Sequence, residues 1–164
     1  MNFKYFLALI GLCISTLAIG QKKDKNDLLE DQYEVQFVRT GVEGTTLFKV
    51  FSYGKNEKQC LENAKRNAIK AVIFNGIPGS DLQKPLASDP NASEVHKDYF
   101  QSFFQENGKY QQYVSLSTDG SINANDRLRV GKLLKIGFIV SVQKASLRRE
   151  LEQAGVVKSL SHGF

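Results

Sequence analysis

The pattern of hydrophobic and polar residues predicts four β-strands. Residues 33–38 alternate between apolar and polar side chains, as in a strand with one face in the core. Residues 45–53 carry apolar side chains on both faces and predict a more central strand. Residues 110–117 alternate again, and residues 134–142 form the longest alternating segment, with five apolar side chains on one side. This last strand is therefore expected to define the core face of the sheet.

Apolar residues spaced three and four apart predict three helices. The first spans residues 57–74, and Asn56 before it forms a capping pair with Gln59 three residues on. An aromatic helix is predicted over residues 93–105, and a last helix over residues 144–154. Four charged residues of the last helix are expected to face solvent: Arg148, Arg149, Glu150 and Glu152.

The order of these elements is typical of an α+β domain. Two strands and a helix come first, then a loop with the aromatic helix, then two more strands and a helix, giving the order β-β-α-(α)-β-β-α. Each strand-to-helix unit can dock its amphipathic helix on a common sheet. We therefore expect residues 33–164 to form a single domain, with a mostly antiparallel four-stranded sheet and helices packed on one face.

The first 20 residues have the features of a secretory signal peptide. Lys4 gives a positively charged start, residues 6–19 are uncharged and mostly apolar, and Ala18 and Gly20 place small side chains where signal peptidase requires them. Cleavage after Gly20 would leave 144 residues. The apolar stretch is shorter than the ~20 residues of a membrane-spanning helix, so no transmembrane segment is expected after cleavage.

Cys13 lies inside this segment, so lipidation of a processed cysteine is an alternative to simple cleavage. The residue before it is Leu12, where a lipoprotein signal requires a small side chain. If Cys13 is removed, Cys60 is the only remaining cysteine, and no intramolecular disulfide can form. Residues 21–32 (QKKDKNDLLEDQ) are polar and predict a flexible leader. We expect an exported chain in the periplasm or at the outer-membrane periphery, with an extracellular location as the alternative.

The net charge does not indicate a nucleic acid partner. The chain has 22 Lys and Arg against 17 Asp and Glu, a formal charge of +5 that falls to +4 without Lys4. The first helix carries basic residues, but no exposed aromatic residues are interleaved with them. These residues are expected to form a solvated helix face, with a nucleic-acid-binding patch as the alternative: Lys58, Lys65, Arg66 and Lys70.

No catalytic, metal or cofactor motif stands out in the sequence. The two histidines are His96 and His162, and neither lies near Cys60 along the chain. Glu94 and Asp98 share a helix face that His96 does not share, so these three residues do not predict a metal site. We therefore expect no cofactor, no metal and no catalytic residue, which favours a non-enzymatic protein without excluding an enzyme.

Two features are candidates for a binding site. Residues 79–91 (GSDLQKPLASDPN) form a long loop, and loops of this length often carry function. The helix that follows carries four aromatic side chains, which can form a ligand platform or fill one edge of the core. The candidate residues for binding a ligand or partner are Leu82, Pro85, Leu86, His96, Asp98, Tyr99 and Phe100.

One part of the chain resembles a known group of bacterial domains. Residues 50–54 (VFSYG) end a predicted strand, and residues 64–72 (AKRNAIKAV) form an alanine-spaced helix before a glycine turn. Over residues 43–77 the chain resembles exported domains related to the amino-terminal domain of flagellar assembly protein T and to small outer-membrane lipoproteins. The remainder is similar to a family of exported bacterial proteins with no assigned activity. The resemblance implies a non-enzymatic envelope or assembly role and carries over no functional residues.

These observations lead to two functional hypotheses. The first is an exported, periplasmic or envelope-associated module that binds an envelope protein or another envelope component. The second is a small secreted enzyme or ligand-binding protein whose site lies near the aromatic helix (residues 93–105) and uses His96, Asp98 and Tyr99. Convergence of these three side chains in a deep pocket would favour the second hypothesis. The sequence does not indicate the oligomeric state.

Overall fold

The computed structural model describes Leu29 and residues 32–41, 45–117 and 122–159. The predicted signal peptide, nearly all of the predicted leader and the last five residues lie outside the described residues. The described part is an α+β domain with one antiparallel sheet, as the sequence predicts.

Five strands form the sheet, one more than predicted. β2 lies between β1 and β5, and β3 and β4 both pair with the other edge of β5. β3 pairs with residues 140–142 of β5 and β4 with residues 133–136, so the two short strands share one position end to end. The strands are β1 (Tyr33–Thr40), β2 (Thr45–Gly54), β3 (Val114–Leu116), β4 (Arg127–Val130) and β5 (Leu133–Gln143).

Alternate residues of the central strands form the core face. Phe48 pairs with Val140 and Val50 with Phe138, and all four side chains are buried. The apolar side chains of β1 pack against the same cluster as the helices. Because the core residues of the central strands come from one face, the helices pack on that face, as predicted.

The first helix begins and ends as the sequence predicts. α1 (Glu57–Lys70) is continued by a π-helical turn (Ala71–Asn75), and the Asn56 Oδ1 accepts a hydrogen bond of 2.9 Å from the Gln59 N–H. Gly76 follows with a φ of 73°, a left-handed conformation that glycine adopts without steric cost.

The aromatic helix is broken, so the prediction of one helix over residues 93–105 is wrong. α2 (Ala92–Val95) and α3 (Lys97–Phe103) meet at His96, whose backbone departs from helical geometry at φ −109° and ψ 35°. Phe100 and Phe103 of α3 are buried, whereas Val95 of α2 is 65 % exposed. Burial of the phenylalanines therefore determines the direction of α3 at the expense of a continuous helix.

The predicted strand over residues 110–117 is mostly wrong as well. Residues 109–113 form a 3₁₀-helical turn, and only β3 is extended. Tyr110 and Tyr113 are both buried. A 3₁₀ turn places residues three apart on the same side, whereas a strand would place these two rings on opposite faces.

The last helix, α4 (Lys144–Gln153), packs through Leu147 and Leu151, as expected. The prediction that Glu150 faces solvent is wrong, since this residue is only 9 % exposed. Gly155 ends the helical segment with a φ of 70°. No helix in the described part of the chain has the length and apolar character that a membrane span requires.

Candidate functional site

The segment between the π-helical turn and α2, residues 76–91, contains no helix or strand, as predicted. Its middle is nevertheless fixed to the preceding helix. The Leu86 N–H donates to the Val72 carbonyl oxygen at 3.1 Å, and the Ala87 N–H donates to the Ile73 carbonyl oxygen at 2.9 Å. Because these bonds use carbonyl groups at the end of a helix, the segment has a defined position on the domain.

This segment forms one wall of a groove. Two adjoining cavities of about 400 and 590 Å³ lie between it and the opposite wall, which is made by α4 and residues 156–158. Both cavities are lined by Pro85, Leu86 and Arg148. We call the combined surface the 84–158 groove, and its main lining residues are Leu82, Lys84, Pro85, Leu86, Lys144, Arg148, Val156, Val157 and Lys158.

The rim of the 84–158 groove is mostly basic. Lys144 donates hydrogen bonds of 3.1 Å to the Asp81 carboxylate and carbonyl oxygens, and Arg148 donates one of 2.9 Å to Glu152. Lys84 and Lys158 are exposed and form no ion pair with any residue in the described part of the chain. Two of the four basic groups therefore remain available to an anionic partner.

Asp89 is the acidic residue that lines the larger cavity of this groove, and Asp81 is the one that lines the smaller cavity. The Asp81 Oδ1 accepts a hydrogen bond of 3.1 Å from the Thr46 hydroxyl, and its Oδ2 accepts from Lys144. Burial alone would raise the pKa of Asp81, but the hydrogen bonds from Lys144 and Thr46 and the positive charge of Lys144 hold it below its ordinary value. Asp81 is thus ionised and already partnered, and it contributes little unpaired negative charge to the groove.

The structure divides the seven predicted site residues into two groups. Pro85 is half-buried and lines the 84–158 groove next to the half-buried Val156 and Val157, whereas Leu82 and Leu86 are buried beneath this apolar floor. The other four residues line neither of its two cavities: His96, Asp98, Tyr99 and Phe100. The loop and the aromatic helix therefore do not contribute to one common groove.

The aromatic side chains of α3 fill one edge of the core. The Phe100 ring lies 5.0 Å from Phe74, and the Tyr99 ring stacks 5.4 Å from Phe103. Phe103 also stacks 6.2 Å from Tyr113 in the 3₁₀ turn. With Phe100 and Phe103 buried, these rings join α3 to its neighbours and leave little surface for a ligand platform.

His96 and Asp98 show no convergence on a site. His96 is half-buried at the break between α2 and α3, Asp98 is exposed, and neither side chain forms a hydrogen bond within the described residues. Within the same residues, no group of three or more His, Cys, Asp or Glu is close enough to hold a metal ion.

Glu150 forms the most connected polar cluster that the structure describes. Lys109 Nζ lies 2.7 Å from its Oε1 and 2.6 Å from its Oε2. The Tyr113 hydroxyl donates to Oε2 at 3.1 Å, and the Tyr99 hydroxyl donates to Oε1 at 3.4 Å. This carboxylate therefore connects α4, α3 and the 3₁₀ turn.

The pKa shifts in the Glu150 cluster agree with this geometry. Burial raises the pKa of Glu150, but hydrogen bonds from Lys109, Tyr113 and Tyr99 together with the Lys109 charge lower it below the ordinary value. Burial and the Glu150 carboxylate raise the pKa of Tyr113 to about 12, and burial followed by the Glu150 charge also raises the pKa of Tyr99. The carboxylate stays ionised and the phenols stay protonated, which suits a structural link rather than proton transfer near neutral pH.

The sequence contained a signal for this cluster. Leu147 and Leu151 define the buried stripe of α4, and Glu150 lies three residues after the first, a spacing that belongs to the same stripe. Its charge favoured a solvent-facing interpretation, since glutamate is rarely buried without partners. The hydrogen-bond partners of Glu150 lie in distant segments of the chain, and the periodicity of one helix cannot predict them.

No family model matches the chain, and comparisons with curated proteins and with solved structures give no match either. The resemblance noted over residues 43–77 therefore stays a prediction, and the functional argument depends on the surfaces of this domain alone.

Proposed function

We propose that this chain is a non-enzymatic binding module of the bacterial cell envelope, and that the 84–158 groove holds its partner. The observation that carries the proposal is the groove itself, which combines an apolar floor with a basic rim. The accessible floor is made by Pro85, Val156 and Val157. Pro85 is one of the loop residues that the sequence nominated for binding, and the other two, Leu82 and Leu86, lie buried beneath it. Apolar contact area with a few directed polar groups is the usual composition of a binding site.

The positive charge of the groove favours an acidic partner. Lys84 and Lys158 stand on opposite walls of the groove and have no acidic partner among the described residues. An acidic segment of an envelope protein, with at least one apolar side chain, would satisfy both lysines while covering the floor. Electrostatic complementarity of this kind favours specificity and rapid association.

The alternative of a secreted enzyme or ligand-binding protein near residues 93–105 has less support. The Tyr99 hydroxyl is directed at Glu150, and the Tyr99 ring is stacked on Phe103. No cavity described here brings Tyr99 together with His96 and Asp98.

A cross-linking experiment in intact cells tests the groove. The tagged chain is recovered with its cross-linked partner from three strains: wild type, a Lys84→Glu/Lys158→Glu double variant, and a Lys55→Glu/Lys132→Glu control. The control makes the same change in net charge at two exposed lysines outside the groove. One reproducible partner with wild type and control, lost with the groove variant, supports the proposal. Equal recovery from all three strains, or no partner from wild type, contradicts it.

Location in the envelope is tested separately by the mass of the recovered chain. Export with cleavage after Gly20 predicts a chain that begins at Gln21 in the envelope fraction. A chain that begins at a lipidated Cys13 would still be exported but would be membrane-anchored. Recovery of the uncleaved chain from the cytoplasm would refute the envelope assignment.

A further inference from the structure

β1 lies at one edge of the described sheet. Its inner side pairs with β2 from Tyr33 to Thr40, and no residue in the described part of the chain pairs with its outer side. At the other edge of the sheet, β3 and β4 are only three and four residues long. β1 is therefore the longest edge strand within the described sheet, and exposed strand edges are templates for pairing with another strand.

The regular part of this edge is short and well defined. Residues 33–37 pair one to one with residues 48–52 of β2, and a bulge at Val38 then shifts the register. Tyr33, Val35 and Phe37 are half-buried against the core, while Glu34 and Gln36 are exposed on the opposite face. The edge therefore offers five residues for pairing, of which three side chains face the core and two face solvent.

We propose that β1 is a self-association edge, on which a second copy of this chain pairs its own residues 33–37 in antiparallel orientation. The two-fold axis passes through Val35, which then lies opposite Val35 of the second copy. Tyr33 lies opposite Phe37 and Glu34 opposite Gln36, each contact occurring twice. Aromatic pairs across strands stabilise a sheet, and no like charges face each other in this register.

Neighbouring registers are less favourable. An axis through Glu34 would place two carboxylates directly opposite each other. An axis through Gln36 would bring the bulge at Val38 into the pairing. A shift that reversed the faces would turn the half-buried apolar side chains of one copy toward the polar side chains of the other.

The test uses the two exposed contacts between Glu34 and Gln36. Gln36→Glu places like charges opposite each other at two symmetric positions, and Gln36→Lys places opposite charges there. Glu34 forms an ion pair with Lys135 in its own copy, but its side chain remains 56 % exposed and available to the second copy. We expect dimer dissociation constants about fivefold weaker for Gln36→Glu and about fivefold tighter for Gln36→Lys. Both differences should shrink at high salt.

Analytical ultracentrifugation from low micromolar to near-millimolar concentration measures these constants. The protein is the chain from residue 21 onward, which contains the entire described core. Gln112→Glu and Gln112→Lys are matched controls, because Gln112 is exposed in the 3₁₀ turn and should leave dimerisation unchanged. A wild-type chain that stays monomeric throughout the range overturns the proposal. The proposal is also overturned if both Gln36 variants change the dimer dissociation constant in the same direction, or if they change it no more than the Gln112 controls do.

Oxidative cross-linking of Val35→Cys gives an independent test of the axis. Opposite residues of an antiparallel pair lie about 4.5–5.5 Å apart between Cα atoms, a distance that a disulfide can bridge. Thr40→Cys, beyond the bulge, is the control and should cross-link poorly. The native thiol of Cys60 is fully buried and should contribute no cross-link in the folded chain. Equal cross-linking of both variants would show that the axis is not at Val35.

Discussion

Replacing Glu150 with alanine is expected to destabilise the domain by about 3 kcal/mol. The substitution removes the acceptor shared by Lys109, Tyr113 and Tyr99. Lys109 is half-exposed and can regain water, so its ion pair contributes about 1 kcal/mol or less.

Most of the cost comes from the buried phenol. A hydrogen bond to a charged group contributes about 1.5–3 kcal/mol, and the cost of leaving a buried donor without an acceptor falls in a similar range of about 1–3 kcal/mol. The hydrogen bond from the Tyr113 hydroxyl to Glu150 is buried and 3.1 Å long, and it is the stronger of the two. The hydrogen bond from the Tyr99 hydroxyl, at 3.4 Å, is weak. Glu150→Gln keeps one amide oxygen as an acceptor, so we expect about half the effect of alanine.

Urea unfolding followed by far-ultraviolet circular dichroism measures this difference. For a domain of this size, 3 kcal/mol corresponds to a melting temperature lower by roughly 12 °C. Glu152→Ala is the control in the same helix, because it removes only an ion pair with Arg148 and should cost about 0.5 kcal/mol. A Glu150→Ala variant as stable as Glu152→Ala would refute the stabilising role of the cluster.

The pH dependence of stability gives a second signature. Because the pKa of Glu150 is lowered in the folded state, its contribution is fully present above the unfolded-state value of about 4.3. The contribution is lost as pH falls through the lower folded-state pKa. The stability difference between wild type and Glu150→Gln should therefore narrow in acid, and a constant difference would contradict an ionised Glu150.

Three further predictions concern the fold. Gly76→Ala should lower the free energy of unfolding by more than about 3 kcal/mol, because φ is 73° and the added Cβ would clash with the Gln83 carbonyl oxygen. Gly79→Ala, with a φ of 80° and open space around the added Cβ, should lower it by only about 1–2 kcal/mol. Asn56→Ala should lower the free energy of unfolding, measured in urea, by about 1 kcal/mol. Asn56→Ser should lower it much less, because serine also caps a helix. The buried thiol of Cys60 should react with Ellman's reagent only as fast as the domain opens, so rapid labelling in native buffer would contradict its burial.

The sequence predicted well the elements whose buried face shows in the spacing of their own apolar residues. The alternation in β5 and the three- and four-residue spacing in α1 both report one buried face, and both elements lie where predicted. The short β4 was missed because its pattern is mostly exposed and its pairing depends on β5. A strand of four residues has too little pattern of its own to be recognised.

The elements that the sequence predicted wrongly are those decided by distant contacts. The break at His96 and the 3₁₀ turn both serve to bury aromatic rings against α1 and α4, and no local pattern reports those partners. The loop residues of the groove were nominated because a long segment with Pro and Leu is unusual, and the structure places them at the groove. The basic rim was missed because Lys84 and Lys158 are 74 positions apart and only the packing of α4 brings them to one surface.

The central pair of strands has a consequence for how the chain folds. β2 and β5 join residues that are 80 to 98 positions apart, and β3 and β4 also pair only with β5. Within the described sheet, a growing or truncated chain that ends before residue 133 can pair only β1 with β2, with α1 packed on this hairpin, and it lacks the central partner strand of the core. Such long-range closure makes folding slow, on the order of milliseconds to seconds. Full protection from proteases is therefore expected only after β5 is added, because β5 completes both the sheet and the core.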